Sequence, residues 1–186
     1  MTAPPPASGL GRGLPLALPA AYLAHLAEEI LSGPGFVAWM NARLAPGFTL
    51  ERFVAINLVV WPLALGLCTA AALRPRWTAA AVPVAAALFV NGLLHAAASL
   101  AFGAYSPGTA TGILLYLPLG ATVLHRASRT LAPRPFALGL ASGLAAHAAP
   151  PTPPSPSPRS RAEPTARPRP RPPPARPRAD RTGLAL

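Results

Sequence analysis

His25-Leu26-Ala27-Glu28-Glu29 lies near the end of an apolar run that extends from Leu14 to Leu31. Three ionisable groups within five residues are costly in a helix otherwise suited to lipid, so neighbouring groups must compensate them. Residues three and four apart share a helix face, which sets His25 between Glu28 and Glu29 on one side. A protein built on this stretch needs other helices that bring polar partners to the same depth.

Composition agrees with a lipid setting. The chain has 186 residues, of which 52% are hydrophobic and only 11% charged, whereas a soluble domain carries about 25% charged residues. Its mean hydropathy is +0.38. The net charge of +11 is carried by Arg alone: eight Arg stand against three Glu in residues 1 to 150, and eight against Glu163 and Asp180 beyond. The single Cys68 sits in an apolar run and has no intrachain partner. These features predict an all-α, multi-pass transmembrane bundle of about five helices. Residues 1–13, rich in Pro, Gly and Ala, are expected to be disordered, 14–149 to form the helical domain, and 150–186 to be a disordered Pro/Arg tail.

Taken outward from the opening stretch, the first span covers Leu14 to Leu31, 18 residues ended by Ser32-Gly33-Pro34-Gly35. The Leu14–Ala21 portion has the length of a signal-peptide core, but the apolar character continues past any cleavage point. Phe36 to Phe48 reads as an interfacial loop containing Trp39. Thr49 is a good N-cap for a second span, Leu50 to Leu73, with Glu51 in its first turn. Trp77 opens a third span to about Phe102, closed by Gly103, and Ser106-Pro107 reads as cap and first position of a fourth, Pro107 to Leu124. Phe136 to Ala149 is only 14 residues and reads as a short span, a re-entrant piece or an interfacial helix. Counting Arg near the span ends does not orient five spans, because the two sides receive nearly equal numbers.

The spacing to the helix ends is more informative. His25 stands eight residues before Gly33, and His95 eight before Gly103. The first and third spans run in the same direction, so both imidazoles should lie at one depth, roughly 12 Å below the same surface at 1.5 Å per residue. Asn57, eight residues after Thr49 in the antiparallel second span, reaches the same level. Asn91 and His95 are four apart and share a face of the third helix.

Two chemistries suit such a set. In the first, His25, His95 and one carboxylate bind a divalent metal such as zinc, an open coordination position remains, and the other Glu serves as base toward a bound water. A metal-free version has Glu28 or Glu29 activating water while His95 and Asn91 steady an oxyanion. The candidate site is then Glu28 and Glu29 as catalytic carboxylates, His25 and His95 as metal ligands, and Asn91, Asn57 and Tyr105 as supporting polar groups. The second chemistry is non-enzymatic: proton or metal-ion handling, or a scaffold in which the same cluster locks helix packing. The partners expected are the lipid bilayer and, for the Arg-rich tail, anionic lipid headgroups. No specific nucleic-acid contact is expected.

His25-x-x-Glu28-Glu29, then Asn91-x-x-x-His95, then Tyr105-x-Pro107-Gly108, in this order on successive apolar segments, resembles the HXXEE-domain family of integral membrane proteins from bacteria and some other lineages. The resemblance spans residues 14 to about 149. It implies a compact bundle of about five helices bearing these polar residues, in a bacterial cytoplasmic membrane, and supplies no reaction.

Overall fold

The computed structural model describes residues 10–147. Both the expected disordered tail with its headgroup contact and the first nine residues lie outside the described part. Within it every element is helical and no strand is present among the described residues. Chain packing already starts at Leu10, which is buried in the core.

Helix α1, Gly13–Leu31, carries the opening stretch and tolerates Pro15 and Pro19 in its early turns. Its end is fixed by Ser32, whose hydroxyl and backbone N–H both donate to the Glu28 carbonyl. The segment expected to be an interfacial loop instead contains a two-turn helix, α2, Phe36–Arg43. Burial drives this: Trp39 packs edge-on against Phe102, with ring centroids 5.6 Å apart, and Asn41 ties the following loop by accepting from the Gly47 N–H at 2.7 Å. Helix α3, Leu50–Leu73, begins as expected with the Thr49 hydroxyl accepting from the Arg52 N–H. A 3₁₀ turn, Pro75–Ala80, runs directly into α4, Ala81–Phe102, which ends at the left-handed Gly103.

Beyond Gly103 the chain re-enters at Thr109–Thr111, passes through a π-helical stretch, Gly112–Tyr116, and continues as Leu117–Thr130. These three pieces form one rod, α5. Its start is displaced from the expected Pro107, and no side chain of its own segment caps it. Ser106, read as the cap, turns its hydroxyl toward His95 instead. The last helix, α6, is Pro133–Ala145, 13 residues, against the roughly 20 a spanning helix needs.

Of the spans expected, the long apolar helices bear out three. Three helical segments are long and apolar enough to cross a membrane: Gly13–Leu31, Leu50–Leu73 and Pro75–Phe102. The outer face of α3 suits lipid, with Leu58 70% and Val59 68% exposed. The interior is built on small residues that let backbones approach, a mode of association common where hydrophobic exclusion does not distinguish protein from lipid. A Cβ on Gly92 would stand 2.8 Å from the Gly112 carbonyl oxygen, so α4 and α5 meet backbone to backbone. Gly139-x-x-x-Gly143 does the same for α6 on the first half of α4: a Cβ on Gly143 would lie 2.5 Å from the Pro83 carbonyl oxygen and 2.6 Å from the Ala86 Cβ. Gly143→Leu should push α6 off α4 and destabilise that packing by about 1–3 kcal/mol, the usual cost of overfilling a tight contact. Limited proteolysis of the detergent-purified variant would read this as faster cleavage around 131–145; an unchanged pattern would show that α6 does not depend on this approach.

Candidate metal centre

The two imidazoles expected at one depth are in contact. His25 from α1 and His95 from α4 meet edge to face, with ring centroids 4.8 Å apart. Glu29, one turn after His25, presents Oε1 3.5 Å from Nε2 of each ring. All three side chains are buried, at 3%, 6% and 5% exposure for His25, Glu29 and His95. One donor atom from each lies within 4.8 Å of the others, an arrangement able to hold a metal ion.

Each ring is held from its far side. His25 Nδ1 lies 2.8 Å from the Thr111 hydroxyl, and the ring stacks on Tyr116 at 4.4 Å. Tyr116 is the last residue of the π-helical stretch, an irregularity often found beside functional sites. His95 Nδ1 lies 3.2 Å from the Ser106 hydroxyl, and its ring leans on Phe36. Gly108, at φ +102, passes beneath both rings, where a Cβ would stand 2.6 Å from His25 Cε1 and 2.8 Å from His95 Cε1. No other residue type fits there.

Glu28, adjacent in sequence, faces the other way. Its carboxylate accepts the backbone N–H groups of Gly108 at 3.1 Å, Ala110 at 3.0 Å and Thr111 at 2.7 Å, and the Tyr105 phenol. A carboxylate from α1 thus caps α5, satisfying orphan donors and meeting the positive end of the helix dipole. Tyr105 lies outside the apolar helices; partial burial, and next the Glu28 carboxylate, raise its pKa, so the phenol stays a donor at neutral pH.

The supporting polar groups divide. Asn57 reaches the expected level but spends its side-chain oxygen on the Tyr22 phenol at 2.6 Å and its amide on the Phe53 carbonyl. Asn91 lies beside the centre with a buried Oδ1 that has no hydrogen-bond partner. His125 stays on the surface, accepting from the Arg129 Nε, while exposed His147 borders the cavity that follows. That cavity, about 280 Å³, is lined by His25 and Glu29 together with Asn91, Tyr22, Asn57 and a ring of apolar side chains from α1, α3 and α4. Sequence reading missed Thr111, Ser106 and Tyr116 as the groups that aim the rings. The one available signal was the Tyr105-x-Pro107-Gly108 motif, whose glycine marks the close passage.

A helical protein with three helices apolar enough to cross a membrane, and a buried pair of histidines meeting at one glutamate, is the class these observations define. Residues 16–123 match the family described as "Protein of unknown function with HXXEE motif", and the chain belongs to that family. His25, Glu28 and Glu29 are the motif in this sequence. No curated protein and no solved structure matches the chain.

Proposed function

We propose that this chain is a multi-pass protein of the cytoplasmic membrane whose His25, Glu29 and His95 bind one divalent metal ion, zinc by donor type, as a hydrolytic centre. One observation carries the reading: both Nε2 atoms stand 3.5 Å from the same Glu29 oxygen. That is long for a charge-assisted hydrogen bond, which runs about 2.7–2.9 Å. It matches the edge of a tetrahedron of ligands about 2.1 Å from a central ion, roughly 3.4 Å. His25 Nε2 is moreover buried without a hydrogen-bond partner, which a lone pair reserved for a metal explains.

The outer contacts suit this role. The Thr111 hydroxyl lies 2.8 Å from His25 Nδ1 and can donate to the Gly108 carbonyl, so it would accept from Nδ1–H in the tautomer whose Nε2 lone pair faces Glu29. Such partners fix tautomer and aim, and losing one typically lowers metal affinity about 10–100-fold. Two histidines and one carboxylate would hold the ion with a position left for water, and a bound ion would supply Lewis acidity and an activated water. Glu29 is the one acid facing that space, and the Asn91 amide is placed to steady charge developing on a substrate oxygen. In this reading Glu28 serves as the clamp that positions α5 and with it Thr111.

Metal analysis of detergent-purified protein tests the assignment. The wild type should retain near-stoichiometric zinc after dialysis, His25→Ala and His95→Ala should lose it, and Thr111→Val should bind about 10–100-fold more weakly. Equal and negligible metal in all four would remove the metal centre and leave a polar clamp between α1 and α4.

A further inference from the structure

The cavity at Glu29 does not end there. Tyr22, Val60, Ala87, Leu88 and Ala146 line it, and the same five residues also line a second cavity of about 310 Å³ that runs on between α3, α4 and α6. The second cavity lies midway along α3 and beside the first turns of α4, and its only polar side chains are Tyr22 and Ser142. Together the two make a crevice with an apolar arm and one polar end. The polar end is Glu29, Asn91 and the His25 imidazole. Among the described residues lining either cavity there is no arginine, so away from the proposed metal residues the crevice offers no side-chain cation to a phosphate-bearing headgroup.

Resting on the hydrolytic reading above, we propose that the substrate is a neutral acyl lipid, with its hydrocarbon chain in the crevice between α3, α4 and α6 and its carboxylic ester beside Glu29 and Asn91. An ester carbonyl needs only one donor and a polarising centre, and the acyl chain beyond it meets the apolar walls of the second cavity. In the step, the water oxygen bonds to the carbonyl carbon and the bond from that carbon to the alkoxy oxygen breaks. The departing oxygen keeps the electron pair and takes up a proton from the water. The products are one carboxylic acid and one alcohol, with no oxidant or reductant required. Apolar lining then selects by chain length, since each methylene withheld from such a pocket lowers discrimination about tenfold or more.

The test uses the full-length, zinc-loaded protein in mixed micelles with p-nitrophenyl palmitate and p-nitrophenyl butyrate, alongside a palmitic acid analogue bearing a photoreactive diazirine near the chain end. Wild type should prefer the palmitoyl ester, and the probe should label α4 near Val84 and Ala87. Ala87→Phe, which fills the crevice where the two cavities join, should lower the palmitoyl-to-butyryl ratio about tenfold or more. Leu63→Trp, at the more exposed edge of the same crevice, should shift it in the same direction should Ala87→Phe fail to fold. Leu58→Trp, on the outward face of α3, should leave the ratio unchanged. An unaltered ratio in both crevice variants, or label confined to Leu58 and Val59, overturns the chain site while leaving hydrolysis standing. Protein that retains zinc yet cleaves neither ester overturns the hydrolytic reading and the substrate with it.

Discussion

Glu28→Ala should destabilise the protein by about 2–4 kcal/mol, more than any other single truncation of the HXXEE residues, without removing a proposed metal ligand. The carboxylate accepts three backbone N–H groups from the first turn of α5 and its approach, plus a phenol. Water can replace it at Ala110, which is exposed, but not readily at buried Gly108 or half-buried Thr111. A shielded N–H left without a partner costs about 1–3 kcal/mol, and the lost charge at a helix N-terminus adds about 0.3–1 kcal/mol. Glu28→Gln retains one acceptor but turns its amide N–H₂ toward a backbone donor, so it should recover only part of the loss. Denaturant unfolding in detergent measures both. Because Thr111 steadies His25, zinc affinity should fall alongside stability in Glu28→Ala. A variant of wild-type stability that has lost only turnover would instead return Glu28 to a chemical role.

How much of this was legible beforehand depended on what kind of force placed each residue. The apolar runs over α1, α3 and α4 were readable because lipid imposes length and hydropathy on each span separately. The meeting of His25 and His95 was readable because both stand eight residues before a glycine at or just past the end of their helix, and the rise per residue converts that near-equality into depth. Which of the two glutamates would join them was not. Glu28 and Glu29 differ by one residue, a rotation of about 100° on a helix of 3.6 residues per turn, and the choice is made by where α5 docks. That docking rests on the Gly92–Gly112 approach, a contact between distant segments without periodicity. The same holds for α2 and α6. Trp39 forms a helix turn because Phe102 receives it, and α6 lies along α4 because Gly139 and Gly143 let it. The π-helical stretch that carries Tyr116 to His25 likewise starts at Gly112, where α5 meets Gly92 of α4, and no local propensity announces it.

Gly108→Ala should be the most damaging single methyl group that can be added to this protein. Two penalties coincide. The first is conformational: φ is +102, a region that costs an L-residue about 1–2 kcal/mol. The second is steric, since the new Cβ would lie 2.6 Å from His25 Cε1, 2.8 Å from His95 Cε1 and 2.9 Å from His95 Nδ1. Neither ring can retreat freely, because His25 is backed by Tyr116 and tied to Thr111, and His95 is tied to Ser106 and backed by Phe36. Overfilling of this kind costs about 1–3 kcal/mol further. Whichever ring yields, its Nε2 leaves the position it shares with the other opposite Glu29. Zinc affinity should therefore drop by about a hundredfold or more, beyond the loss expected from any one outer partner. Gly33→Ala separates the two penalties: Gly33 has φ +57 but no atom within 4 Å of its would-be Cβ. It should lose about 1 kcal/mol of stability and keep its zinc. If both variants instead bind zinc as the wild type does, the rings are not held in place by the glycine beneath them, and the compact geometry proposed for the centre loses its support.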